Sequence, residues 1–159
     1  MVRAGAVKVV RAESLRENTA QTEGITRWNA IQDMSDQVCG TVTVAKPHTS
    51  SAVHHHGAEA VTDTIIYAVR GHGSILSDNG KTRQELAPGD FALIPAFSQH
   101  QEVNDSDEEV VWVVARGGRN PIVVNLDNWG QELRRKSKSG RNGSEGSLEV
   151  DGVVGDKKL

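Results

Sequence analysis

Residues 38–45, VCGTVTVA, alternate with a period of two. Successive side chains of an extended strand point to opposite faces, so Val38, Gly40, Val42 and Val44 share one side and Cys39, Thr41, Thr43 and Ala45 the other. The valine side is expected to pack in the core; the threonine side faces either solvent or a polar pocket. Pro47 ends the run. Downstream, DTIIYAVRG is rich in β-branched and aromatic residues and stops at the turn GHG. In SILSDNGKTRQEL, Asp78-Asn79-Gly80 separates two short runs and predicts a hairpin. APGD is another turn, and FALIPAF is an apolar strand whose Pro95 marks an edge, a bulge or an end. HQEV leads into the polar turn NDSDEE, VVWVVARGG reads as a strand buried on both faces, and NPIVVNL as one more strand.

About eight short strands roughly 8–12 residues apart, with turns between them, predict an all-β sandwich or barrel. Residues 1–36 lack strong periodicity. AESLREN reads as a helical turn or short helix, and ITRWNAI as a cover that lays Trp28 and Ile31 on the body. The last segment is rich in Gly, Ser, Lys and Arg and reads as a flexible tail. The expected organisation is an N-terminal segment (1–36) packed on a β-barrel (37–128), followed by a polar tail (129–159).

Composition narrows the function classes. The chain has 159 residues, enough for one domain with one core. A formal net charge of −3 gives no basic surplus for a nucleic-acid partner. Cys39 is the sole cysteine, so an intrachain disulfide is impossible, and it reads as a small packed residue. No stretch is long and apolar enough for a membrane span, and the N-terminus does not read as a signal peptide. The expected compartment is the cytoplasm.

The candidate chemistry lies in AVHHHGAEAVTDT, residues 52–64, which holds three of the six histidines. Strand alternation puts His54 and His56 on one face and His55 on the other. Two imidazoles on one face bind a single ion through nitrogen, and a stable site needs further ligands. His100 is the natural third, because inward faces of different barrel strands converge. His48 and His72 read as structural.

These residues resemble the cupin pattern. Its second half reads here Gly89-DFALI-Pro95-Ala96-Phe97-SQ-His100-QEV-Asn104, matching throughout except that Phe97 replaces a glycine. Its first half is met by His54-His55-His56 and by Gly71 after the following strand. The stretches RENTAQTEGITR, HHHG…DTIIYAVRGHG, PGDFALIPAFSQHQEVN and PIVVNLD are similar to a family of small single-domain cupins of unsettled reaction, over roughly residues 8 to 128. The resemblance implies a double-stranded β-helix, or jelly-roll barrel. It also implies one divalent transition metal ion (Fe, Zn, Mn or Ni) held by His54, His56, His100 and a carboxylate. Alignment on the strand before Gly71 gives Asp63 as that carboxylate, with Thr64 on the expected position itself. Glu59, or water completing a three-histidine site, are the alternatives. Homodimers that pair through their sheets are a further expectation from the family.

Counting by twos from Asp63 gives Ile65, Tyr67 and Val69 as inward positions, and counting from His100 gives Glu102. Tyr67 and Glu102 are therefore the candidates for proton transfer. Each has a plainer reading, Tyr67 as core packing and Glu102 as a solvent-facing strand end. Phe97 is expected to narrow the pocket mouth. The expected function is a metal-dependent enzyme, a dioxygenase acting on a small organic acid, phenol or carbonyl compound. The alternatives are a redox-neutral isomerase, dehydratase or decarboxylase on the same site, or a non-catalytic small-molecule binder.

Overall fold

The computed structural model describes residues 5–18, 22–57 and 61–131. Glu59 and most of the expected tail lie outside the described residues. One short 3₁₀ turn, Ala12–Ser14, stands where AESLREN predicts a helical turn. Among the described residues twelve strands follow: β1 (Arg16–Asn18), β2 (Ile25–Ile31), β3 (Val38–Ala45), β4 (Thr49–Ser50), β5 (His54–His55), β6 (Thr64–Arg70), β7 (Gly73–Ser77), β8 (Thr82–Leu86), β9 (Phe91–Ile94), β10 (Gln101–Asn104), β11 (Val110–Gly117) and β12 (Val124–Asn125). The larger sheet runs β1-β2-β3-β11-β6-β9, the second β4-β10-β7-β8, and β5 pairs with β12. All pairings are antiparallel.

The turn chemistry acts as the sequence predicts. Asp78, Asn79 and Gly80 take positive φ, and β7 and β8 pair up to Ser77↔Thr82 around them. Pro95, which has no N–H for the ladder, ends β9 at Ile94. Gly73 must lack a side chain, because a Cβ there would stand 2.3 Å from the buried Trp112 ring.

The core lies between the two sheets: Ile25, Ala45, Ile66, Ala68, Ile94, Val110, Trp112 and Val114 from the large sheet meet Ile75 and Leu86 from the small one. Asn104 ties the edge of this core together. Its amide donates to the carbonyls of Ala45 (3.0 Å), Lys46 (3.0 Å) and Glu108 (2.8 Å), and its Oδ1 accepts from the backbone N–H and hydroxyl of Ser106. Buried backbone carbonyls need partners, and this one side chain serves three of them.

The structure corrects four readings of the pattern. ITRWNAI is not a loose cover; it forms β2, paired along β3 with Arg27 opposite Thr43 and Asn29 opposite Thr41. In β3 the buried side is Cys39, Thr41, Thr43 and Ala45, and the valines face outward. The interior is polar at this end, so threonine suits the inner wall better than valine does. In β6 the buried residues are Thr64, Ile66 and Ala68, whereas Ile65, Tyr67 and Val69 face out. The count by twos started one residue early. Lastly, β11 buries Val110, Trp112, Val114 and Arg116, while Val113 on its other face is 40% exposed, so one chain covers a single face.

Candidate metal centre

His54 and His100 belong to different segments joined by a backbone bridge. The N–H of His54 donates to the carbonyl of His100 at 3.0 Å, and the N–H of His100 returns the bond at 2.9 Å. A reciprocal pair of this kind fixes both Cα positions and puts the two rings on the same side. The ring centroids lie 4.2 Å apart, and His56, two residues along from His54, adds its ring at 5.0 and 4.9 Å from the other two. Each ring offers one nitrogen to a common point, and these three atoms all lie within 4.8 Å of one another. All three side chains are buried.

The backbone sets their tautomers. Nδ1–H of His54 donates to the carbonyl of Ala52 (2.8 Å), that of His56 to Ile122 (3.1 Å) and that of His100 to Ser98 (2.8 Å). A carbonyl only accepts, so each Nδ1 carries the proton and each Nε2 presents a lone pair. Nε2 of His54 and of His100 have no hydrogen-bond partner despite burial. Buried polar atoms are seldom left so, and three converging nitrogens with outward-tethered Nδ1 groups form a donor set that could hold a transition-metal ion. His56 and His100 are also held neutral. Burial, then Arg116 and the neighbouring imidazoles, push His56 down to about 2, and burial followed by His54 pushes His100 down to about 4.

The carboxylate beside the cluster is Glu102, which β10 carries two residues beyond His100. Its Oε1 lies 3.5 Å from Nε2 of His54 and 3.8 Å from Nε2 of His100, and its Oε2 lies 3.7 Å from Nη2 of Arg27. Burial opposes its ionisation, but His54, Arg27 and His100 together hold its carboxyl well below the usual range. The solvent-facing reading of Glu102 is thus corrected: the side chain is buried.

The other sequence candidates lie elsewhere. Asp63 is exposed and is not brought to the cluster; its Oδ1 accepts from the N–H of Ala96 at 3.0 Å, closing the turn after β9. Asp63 stands one position before the expected one, and the inward position at the start of β6 belongs to Thr64, whose buried hydroxyl has no partner. Tyr67, on the outward face of β6, packs on Phe91 at 4.7 Å between centroids, away from the histidines. Phe97 takes a left-handed φ of 63°, a conformation that favours the glycine of the cupin pattern. Its ring lies against Gly57 and, at 6.0 Å, against His55, and Phe97 is not among the described residues that line the polar cavity. His55 is buried on the opposite side from the cluster rings, opposite Val124 of β12.

Two residues that the sequence reading passed over complete the site. Arg27 and Arg116, both buried, line a polar cavity with Asn29, Thr41, Thr43 and Glu102. Nη2 of Arg116 donates to Nε2 of His56 at 3.3 Å, so the cavity adjoins the histidine cluster. The signal was present in the alternation: Arg27 shares parity with Ile25 in β2, and Arg116 with Val110, Trp112 and Val114 in β11.

This two-sheet barrel brings three histidines from two segments together inside it, as a candidate metal centre. A model of the Cupin domain family matches residues 41–116, and the fold is that of a double-stranded β-helix. The chain is 31% identical over 67 residues to gentisate 1,2 dioxygenase 1 of Aquipseudomonas alcaligenes, a stretch that is 42% of this chain and 18% of that protein. The fold is similar to that of the polyketide cyclase RemF from Streptomyces resistomycificus (TM-score 0.63, 20% identity, 76% of this chain and 86% of that one). It is also similar to KdgF from Halomonas sp. (TM-score 0.60, 16% identity, 72% of this chain and 96% of that one) and to oxalate decarboxylase of Bacillus subtilis (TM-score 0.57, 18% identity, 67% of this chain and 29% of that one). Among the described residues no helix is long and apolar enough to cross a membrane.

Proposed function

We propose that this cupin is a metal-dependent enzyme acting on a small organic acid, phenol or carbonyl compound. His54, His56 and His100 hold one divalent transition-metal ion in this reading. The observation that carries it is the set of three buried, converging Nε2 atoms whose Nδ1–H groups are all tethered to backbone carbonyls. Neutral imidazole suits Fe, Zn, Mn and Ni alike, so the donor set leaves the choice among them to availability. Such an ion, when bound, supplies Lewis acidity towards an oxygen of the substrate or, if it is iron, activates dioxygen.

The chain's own residues orient and exchange protons. The Ala52, Ile122 and Ser98 carbonyls hold the imidazole planes, and Glu102 faces His54 and His100 as a carboxylate. An ionised Glu102 is a proton acceptor. Tyr67 has no part in this reading, because its ring lies on the other face of the sheet.

Within this class we favour a dioxygenase, supported by the matched stretch of gentisate 1,2 dioxygenase 1. Oxygen uptake by the Fe(II)-loaded chain across a panel of small aromatic and aliphatic acids, phenols and carbonyl compounds tests it. Uptake that depends on substrate supports the dioxygenase; turnover without uptake replaces it with redox-neutral chemistry on the same site. Ligand binding without turnover by any metal form supports a non-catalytic binder.

For the assembly we propose a homodimer across the outer face of the six-stranded sheet. The register aligns Trp28, Val42, Val113, Tyr67 and Phe91 in one row across five strands. Phe91 is 70% and Leu93 66% exposed on the edge strand next to it. A two-fold axis through such a row sets like against like, and an apolar face of this kind favours association in water.

A further inference from the structure

We propose that the cavity beside the histidines is a carboxylate-binding site whose cations are Arg116 and Arg27, so that the substrate class is small organic acids rather than neutral phenols or carbonyl compounds. The proposal rests on the metal-enzyme reading and narrows it.

Charge is the first argument. Among the described residues the cavity wall carries two guanidinium groups and one carboxylate, Glu102. Glu102 lies within ion-pair distance of Arg27, whereas it acts on Arg116 from further off. Arg116 forms no ion pair with any described acid. Its Nη1 donates to the Ile122 carbonyl at 3.0 Å, its Nη2 to His56, and its buried Nε has no partner. Glu102, the one acid on the wall, is shared between two buried cations, and a buried charge that is not closely paired is costly. An anion in the cavity removes that cost.

Geometry is the second. Arg27 comes no nearer to Glu102 than 3.7 Å, which is too long for a hydrogen bond, and its buried Nη1 is unpartnered. The two arginines therefore bring unsatisfied N–H groups to one cavity from strands on either side of β3. Planar guanidinium groups match a carboxylate, which accepts in pairs. The remaining wall combines polar Asn18, Asn29, Thr41 and Thr43 with apolar Val114, Pro121 and Val123.

The interaction with His56 links the two halves of the site. Nη2 of Arg116 rests on the lone pair that a metal would take. An ion held there would compete with that N–H, and a carboxylate in the cavity would be a fitting acceptor for it.

The test uses the full chain, metal-free and Zn²⁺-loaded, with acetate, pyruvate and benzoate set against acetamide, pyruvamide and benzamide, and with inorganic sulfate as a further arm. Binding is read by calorimetry and Zn²⁺ content by elemental analysis. At least one acid is expected to bind tenfold or more tightly than its amide, and both Arg116→Gln and Arg27→Gln are expected to weaken that acid tenfold or more. Should Arg116→Gln fail to fold, Arg27→Gln and the acid–amide comparison on the unaltered chain decide the matter. Acids and amides that bind alike, sulfate that binds more tightly than every acid, or arginine variants that retain full acid affinity each overturn the proposal. Failure of the metal reading is distinct, because it shows as absent Zn²⁺ whatever the acids do; acid binding that survives in the metal-free chain then still supports the carboxylate site.

Discussion

Oε1 of Glu102 lies 3.5 Å from Nε2 of His54, an imidazole whose other nitrogen is already committed to the carbonyl of Ala52. The carboxylate's second oxygen faces Arg27. Glu102 thus links a cationic wall to the lone pairs of the candidate metal centre, from the same strand that follows His100.

Glu102→Gln keeps the shape of this link and removes its charge. Metal affinity is expected to fall on the order of 10–100-fold, the usual cost of losing a group that supports a metal ligand. Asp63→Ala releases only the N–H of Ala96 and should change affinity far less. Competition with a chelator of known affinity measures both. Equal losses for the two variants, or a larger loss for Asp63→Ala, restore Asp63 as the carboxylate of the site.

Asn104→Ala strips partners from three carbonyls at once and leaves the turn at Ser106 without its acceptor. A cost of about 2–4 kcal/mol is expected, from several buried groups left unpaired. Urea unfolding measures it, and a change under about 0.5 kcal/mol, the range of ordinary surface substitutions, contradicts the role given to Asn104 here.

The metal-free chain should lose stability in acid earlier than its carboxylates alone dictate. His56 at about 2 and His100 at about 4 are depressed from 6.5, so the unfolded chain takes up protons first as pH falls. Their contribution is fully present above about pH 6.5 and declines from there towards pH 4, on the order of 1 kcal/mol per pH unit for each histidine. Thermal unfolding between pH 7.5 and 4.5 checks this. A melting temperature that is flat until the carboxylates titrate shows that the rings are not held neutral by the fold.

Val113→Lys puts a charge at the centre of the outward apolar row without touching the core face of β11. If the homodimer forms there, sedimentation velocity should show the variant as a monomer and the unaltered chain as a dimer. A dimer that persists in the variant places the interface elsewhere.

The strands and turns were legible because alternation, Pro95 and Asp78-Asn79-Gly80 are local signals. His54, His56 and His100 were legible for the same reason: alternation sorts the histidine run, and the bridge to His100 satisfies it. What misled was the assumption that apolar means inward. This barrel has a polar interior at one end, so threonines line it in β3 while valines face out. The same polarity hides Arg27 and Arg116, since a charged residue within an apolar strand ordinarily reads as solvent-facing. Asp63 and Thr64 differ by one position, and strand parity decides between them only once the pairing of β6 with β11 is known.

The central claim is that three histidines from two segments form one metal centre. Metal content per chain, measured by elemental analysis after loading with Zn²⁺ or Fe²⁺ and dialysis, tests it most directly on the unaltered chain, on His55→Ala and on the His54→Ala, His100→Ala double variant. The account predicts one ion per chain in the first two and none in the third. One ion retained by the double variant, or none bound by the unaltered chain, contradicts it.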